Sequence, residues 1–255
     1  MNDAVPRFHI VIPARLGSER LPGKPLVDIA GQPLIAHVVR RAQASGAASV
    51  AVATDNQRVV EACEPLGVRA VMTSLDHPSG SDRVNEVARA AGWDEDEIVV
   101  NLQGDEPLMP SKCLDQVAAV LADADNASVA SLYEQIQRAE DVIDTNIVKV
   151  VLDEQHNALY FSRSPIPHAR GVSSFEEASA RNIRWLRHVG LYAFRVRALQ
   201  RMCRTPPGPL ELAERLEQLR ILEHHGRIRM ARACRDIPAG VDTPEDLERV
   251  RELLR

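Results

Sequence analysis

Four polar side chains on one short stretch could hold an anion: Arg15, Ser18, Arg20 and Lys24, within Pro13-Ala14-Arg15-Leu16-Gly17-Ser18-Glu19-Arg20-Leu21-Pro22-Gly23-Lys24-Pro25. Two acids elsewhere could hold a cation: Asp105 in Asn101-Leu102-Gln103-Gly104-Asp105-Glu106-Pro107, and Asp242 in Gly240-Val241-Asp242-Thr243-Pro244. A Gly/Pro-punctuated loop ahead of a helix offers cations, a hydroxyl and free backbone N–H groups to phosphate oxygens. A pair of carboxylates beside it suits Mg²⁺, which binds one or two carboxylates together with substrate phosphates. The chemistry implied is triphosphate binding. Lys24 stands out because the chain has 28 arginines and only three lysines, and a compact ammonium differs physically from a guanidinium fork.

Spacing excludes two common phosphate motifs. Five residues separate Gly17 from Gly23, and Pro25 follows the lysine where a Walker A loop needs Ser or Thr. The dinucleotide fingerprint G-x-G-x-x-G is absent as well. Blander readings stay open at this point: a solvated basic turn for the loop, an Asx-turn cap for Asp105 and a helix-dipole partner for Asp242. Ser79-Gly80-Ser81-Asp82-Arg83 precedes a helix and could be no more than a capping turn. It could also lay small residues against a flat base, with Arg83 donating to a pyrimidine.

These residues must be positioned by alternating strands and helices. Strand-length apolar runs occur at 8–14, 49–54, 69–72 and 98–102, and helix-length amphipathic stretches at 33–45, 57–66 and 82–91. That alternation predicts an α/β fold, a Rossmann-like mostly parallel sheet flanked by helices. In such sheets ligands sit beyond the carboxyl ends of the strands, where the loop after 8–14 and Asp105 both fall. A helix at 111–122 follows. Strands at 128–133, 147–152 and 158–162 then crowd together without a helix-length stretch between the last two. They predict a smaller β-rich insertion over roughly 128–195, closed by a strand at 188–194. A single helix is expected over 210–224, then a strand at 228–233 and a helix at 244–254 with Thr243 as N-cap and Pro244 in its first turn.

Composition narrows the class. The 255 residues are 45% hydrophobic and 26% charged, with a net charge of −5. That is an ordinary globular balance, and it argues against a general nucleic-acid or membrane-surface role. No apolar run reaches membrane-spanning length and no signal-peptide core is seen, so a cytoplasmic location is expected. The four cysteines, Cys63, Cys113, Cys203 and Cys234, form no C-x-x-C pair and read as free thiols. The eight histidines lack zinc-site spacing.

Taken in order, the segments resemble the 3-deoxy-manno-octulosonate (Kdo) cytidylyltransferase family, the CMP-Kdo synthetases of lipopolysaccharide biosynthesis. The matching runs include Arg20-Leu21-Pro22-Gly23-Lys24-Pro25-Leu26, Ala53-Thr54-Asp55, Asn101 through Pro107, Val148-Lys149-Val150-Val151, Ala158-Leu159-Tyr160-Phe161-Ser162-Arg163, Arg187-His188-Val189-Gly190-Leu191-Tyr192, Leu216-Glu217-Gln218-Leu219-Arg220 and Gly240 through Leu247. The resemblance implies a nucleotidyltransferase that joins CTP and Kdo with release of pyrophosphate. It implies that Arg15, Ser18 and Lys24 bind the CTP phosphates, with Gly80 and Arg83 against cytosine and Gln103 beside sugar and phosphate. Asp105 and Asp242 become the Mg²⁺ ligands, and Arg163, His188, Tyr192, Glu217 and Gln218 the Kdo pocket. Lys24, Arg15, Asp105 and Asp242 are then the catalytic set, in a homodimer built through the insertion. Two departures occur: Ser79-Gly80-Ser81-Asp82-Arg83 where the family often has Thr-Gly-Thr-Glu-Arg, and Ile166-Pro167-His168-Ala169-Arg170 after Arg163. The rival readings are a sister enzyme acting on sialic acid or an amino-substituted Kdo, which the Kdo pocket discriminates, and a nucleotide-binding module, which would not need both acids.

Overall fold

The structure, a computed structural model, describes residues 6–17 and 21–255; Ser18 and Arg20 lie outside the described residues. Strand β1 (Phe8–Pro13) is buried at every position, the pattern of a strand covered on both faces. Its successor loop ends in a single 3-10 turn at Lys24–Leu26 and a two-residue hairpin, β2 (Asp28–Ile29) with β3 (Gln32–Pro33). There follow α1 (Leu34–Gln43), β4 (Ser49–Thr54), α2 (Gln57–Cys63), β5 (Arg69–Met72), α3 (Gly80–Ala91), β6 (Ile98–Asn101) and α4 (Ser111–Ala122). The next stretch holds β7 (Val129–Gln135), α5 (Ala139–Ile143), β8 (Lys149–Leu152), β9 (Ala158–Ser162), α6 (Phe175–Ala180) and β10 (Leu186–Arg195). The chain closes with α7 (Val196–Arg204), α8 (Pro209–Glu214), α9 (Leu219–Glu223), β11 (Ile228–Arg232) and α10 (Pro244–Leu253).

Seven strands run in the order β11-β7-β10-β6-β1-β4-β5, and β8 and β9 branch from β10. β1 pairs parallel with β4 and β6, β4 with β5, and β11 with β7. β10 is antiparallel to both β6 and β7. The chain is therefore a mostly parallel sheet flanked by helices, with the hairpin β2–β3 as a small separate sheet. All strands of its spine except β10 point their carboxyl ends to one edge. The period-2 alternation of strands splits the core: Ile10 and Ile12 pack with Ile35, Val38, Leu114 and Val117 on one face. Val11 packs with Val84, Val87, Leu199 and Met202 on the other. Each fully buried side chain of this kind contributes about 1.5–3 kcal/mol.

The expected single helix over 210–224 is instead two short ones. Arg215 takes a left-handed conformation (φ 54°) that ends α8, and the paired Glu211 and Arg220 (2.6 Å), both largely buried, lock the turn. The break lifts Leu216, Glu217 and Gln218 out of helical register, with the consequence described below. Helix α7 has no counterpart in the sequence-based expectation, although Val196, Leu199 and Met202 are all buried along it. α10 opens as expected: Thr243 and Asp246 form a reciprocal capping box, with Pro244 in the first turn.

Candidate active site

The loop that follows β1 is tied down before it reaches the cleft. Ala14 N–H donates to Ala53 O (2.8 Å), and Leu16 N–H donates to Asp55 Oδ1 (3.2 Å). Asp55 Oδ2 accepts from Arg83 Nη2 (2.7 Å), while Arg83 Nη1 donates to Thr73 Oγ1 and Ser74 O (2.8 Å each). Arg83, 3% exposed, therefore spends these donors on holding β4, β5, α3 and the loop together. The donor set expected to read a pyrimidine is in large part a brace, although Arg83 still lines the cleft.

Beyond the loop, Lys24 Nζ donates three bonds: to Asp105 Oδ2 (2.8 Å), Asp242 Oδ1 (2.9 Å) and Val241 O (2.9 Å). Burial pushes its pKa down, but the two carboxylates outweigh that and hold the ammonium above its usual range. Asp105 arrives from the end of β6 through a turn that brings Gly104 against β1. A Cβ at Gly104 would lie 2.6 Å from Pro13 O, so only glycine permits this approach. Asp242 arrives from the strap between β11 and α10, where Val241 N–H donates to Asp105 O (2.8 Å). Glu106, next to Asp105, has its Oε2 buried without a hydrogen-bond partner. Burial, then the Asp105 charge, push its carboxyl up to about 8.

Arg15, Lys24, Gly80, Arg83, Gln103, Asp105 and Asp242 line one cleft of about 540 Å³. Seven of the thirteen expected site residues are thus brought together. Two carboxylates already sharing one cation, in a cleft open to phosphate oxygens, are the donor set that suits Mg²⁺. Among the described residues no group of three His, Cys, Asp or Glu gathers into an all-protein cage.

A second cluster shares the amino-terminal turn of α3. Ser79 and Gly80 face the cleft, while Ser81 Oγ donates to Glu217 Oε2 (2.8 Å) and accepts weakly from Asn101 Nδ2 (3.5 Å). The break between α8 and α9 is what delivers Glu217 here. β10 sets Tyr192 opposite Asn101. Three atoms of this group, Asn101 Oδ1, Tyr192 Oη and Glu217 Oε1, are buried without a partner. Each such atom costs about 1–3 kcal/mol, and three together form a cluster with unused capacity to bond a polar ligand. Burial, then the Glu217 charge, hold the Tyr192 phenol well above its ordinary pKa. Burial likewise raises the Glu217 carboxyl, against the hydroxyls of Ser79 and Ser81.

His188 adjoins this cluster, its ring 5.3 Å from that of Tyr192. Its Nε2 lies 3.1 Å from Ser131 Oγ, whose own proton goes to Val189 O (3.0 Å). The hydroxyl must therefore accept, which places the imidazole proton on Nε2 and leaves Nδ1 as an acceptor. Burial, then Arg187, lower the His188 pKa to about 3. Arg163 is more committed than its expected role suggests: Nε donates to Glu214 O (2.8 Å) and Nη1 to Thr145 O (2.9 Å). Its backbone carbonyl is gripped by the fully buried Lys149 (2.6 Å). Gln218 is buried at the start of α9, and Ser18 lies outside the described residues.

Sequence reasoning missed Asn101, Ser81, Asp55 and Glu106. One signal was available: Asn101 closes the otherwise apolar, fully buried β6 run Ile98-Val99-Val100-Asn101. A polar residue there needs either a partner or a ligand.

Residues 9–228 match the family model described as cytidylyltransferase. A 3-deoxy-manno-octulosonate cytidylyltransferase of Acinetobacter baumannii is 48% identical over 96% of this chain and 97% of its own length. The enzyme of that name from Cellvibrio japonicus is 49% identical over 97% and 98%. The solved structure of a CMP:2-keto-3-deoxy-manno-octonic acid synthetase complexed with CTP superposes with a TM-score of 0.88 at 43% identity, covering 97% of this chain and 98% of that one. A 4-diphosphocytidyl-2C-methyl-D-erythritol synthase shares the fold at 13% identity and a TM-score of 0.64. With a cytidylyltransferase model over most of its length and near-half identity to full-length relatives, this chain belongs to the 3-deoxy-manno-octulosonate cytidylyltransferase family.

Proposed function

We propose that this chain joins CTP and Kdo into CMP-Kdo, releasing pyrophosphate, as a step of lipopolysaccharide biosynthesis. The observation that carries the reading is the adjacency of two half-sites on the first turn of α3. One is a cationic cleft with paired carboxylates; the other is a buried cluster of unpartnered polar atoms suited to a polyhydroxylated acid.

The anomeric hydroxyl of the sugar attacks the α-phosphorus of CTP, the new P–O bond forms, and the bond to the β-phosphate oxygen breaks. Arg15 and Lys24 face the phosphates and compensate charge as pyrophosphate departs. Lys24 is pre-positioned by bonds to Asp105 and Asp242, which it relinquishes for phosphate oxygens as the substrate enters. A Mg²⁺ held by Asp105 and Asp242 would supply further charge neutralisation and acidify the attacking hydroxyl. Gly104 and Gly80 let their turns close against Pro13, Gly104 on its carbonyl oxygen and Gly80 on its ring. On the sugar side, His188 Nδ1, Glu217 Oε1 and Asn101 Oδ1 accept from hydroxyls, and the Tyr192 hydroxyl makes the bond it lacks. Holding both substrates in this relation supplies most of the rate, as proximity does in other two-substrate transfers.

A cytoplasmic homodimer completes the proposal. No helix among the described residues is long and apolar enough to cross a membrane. Among the described residues strand β9 pairs with β8 alone, and it presents Leu159, 59% exposed, while α8 exposes Leu210 and Leu212. The test is pyrophosphate release with Mg²⁺, crossing CTP, UTP, ATP and GTP against Kdo, 8-amino-Kdo and sialic acid. Release with CTP and Kdo alone is the expected result. Release with another acid overturns the sugar, and CTP binding without release leaves a binding module.

A further inference from the structure

Two of the four cysteines, 121 residues apart, meet in the fold: Cys113 Sγ and Cys234 Sγ lie 3.9 Å apart. Cys113 sits in the first turn of α4 and is fully buried. Cys234 is exposed in the bend that follows β11. Their juxtaposition is held by bonds that do not involve sulfur. Gln116 of α4 accepts from Cys234 N–H (2.9 Å) and donates to Arg232 O (2.7 Å), so the amide of one side chain fastens the bend to α4. Cys113 Sγ also lies 3.9 Å from Arg235 O. The other two cysteines make no such pair: Cys63 is buried and Cys203 is half-buried elsewhere.

We propose that Cys113 and Cys234 are a thiol-oxidation site, closing to an intramolecular disulfide on reaction with a peroxide. The sulfurs must approach by about 1.9 Å to reach the bond length of about 2.05 Å. Cys234 lies in an exposed bend outside the sheet, so no strand pairing holds it against that movement. The exposed Cys234 thiolate attacks the peroxide, giving a sulfenic acid and releasing water. The Cys113 thiolate then attacks the Cys234 sulfur and displaces a second water. Both thiol protons end in water, and two electrons pass to the peroxide. The order follows from access: burial, and then Cys234 itself, push the Cys113 thiol up to about 12, whereas Cys234 meets solvent. Arg235 Nη1 donates to Cys234 O (3.1 Å), which helps to fix the bend that presents the exposed thiol to solvent.

The bond would staple the strap from Ala233 to Asp242 onto α4. The far end of that strap supplies Val241 O and Asp242 Oδ1 to Lys24, so the staple joins α4 to a wall of the cleft. Closing a loop of this length restricts the unfolded chain most, and the oxidised protein is expected to melt several degrees higher than the reduced one.

The test treats the full-length protein with hydrogen peroxide and maps its peptides without reduction. A linked Cys113–Cys234 peptide, a monomeric mass lower by about two units and reversal by dithiothreitol are expected. Cys234→Ser, at an exposed position, should abolish the link, and so should Cys113→Ser if it folds; Cys63→Ser with Cys203→Ser should leave it intact. Overoxidation of Cys234 to sulfinic acid with Cys113 unmodified, or a link only between two chains, would overturn the proposal.

Discussion

Replacing Lys24 with methionine separates two roles that the native side chain combines. The ammonium neutralises Asp105 and Asp242 in the free protein, and in the proposed complex it meets phosphate. Loss of a charge-assisted bond costs about 1.5–3 kcal/mol, but the Asp105 and Asp242 side chains are 33% and 47% exposed. Solvent screening draws each pair toward the surface range of about 0–1 kcal/mol. With the lost bond to Val241 O included, Lys24→Met should destabilise the free protein by about 2 kcal/mol. For a chain of this size that is a drop of about 4–8 °C in Tm. The substitution takes one positive charge from between Asp105 and Asp242, so added Mg²⁺ should bind the variant more tightly than the wild type. It should recover most of the lost Tm by mass action. Pyrophosphate release should still fall by about 100-fold or more, because the phosphate contact is gone. Differential scanning fluorimetry in chelator and in excess Mg²⁺, for both proteins, reads the two effects apart. A variant that melts with the wild type in chelator, or an equal Mg²⁺ response in both, would refute the shared-cation geometry.

Tyr192→Phe removes an unpartnered buried hydroxyl; its Tm should hold or rise while KM for the sugar acid increases, and a clear loss of stability would contradict the assignment. Asp55→Ala removes both the buried pair with Arg83 (2.7 Å) and the acceptor of Leu16 N–H, and chemical denaturation should show a loss of about 3–5 kcal/mol, with KM for CTP raised because the Leu16 anchor goes too. His188 titrates near 6.5 unfolded and about 3 folded, so between those values the unfolded chain binds more protons. Its contribution is whole above pH 6.5 and is lost as pH falls toward 3. His188→Gln should therefore flatten the stability profile, by about 2 kcal/mol between pH 6.5 and 5, in urea titrations at the two pH values.

What the sequence made legible is what local patterning encodes. The parallel strands, the capped last helix and the two acids at one sheet edge follow from apolar runs, Thr243-Pro244 and strand-end position. The two acids were legible as facing the Lys24 loop, but the direct bonds from the ammonium to both were not, because Asp105 and Asp242 lie 81 and 218 residues away. The turn at Arg215 was hidden for a physical reason: Leu210–Glu223 is rich in helix formers, and only the tertiary Glu211–Arg220 pair and a left-handed Arg215 break it. Since that break delivers Glu217, the proposed sugar half-site was accessible from resemblance and not from periodicity. Arg83 shows the converse, a residue whose type suggested ligand contact but whose donors are largely used in bracing.

The central claim is that Asp105 and Asp242 act together on a nucleotidyl transfer. The most direct measurement is phosphorus NMR of CTP, Kdo and Mg²⁺ with wild type, Asp105→Asn and Asp242→Asn. The wild type should convert CTP to pyrophosphate and a CMP diester in equal amounts, and each variant should lose nearly all turnover while remaining folded. Near-normal turnover in both variants would contradict the account.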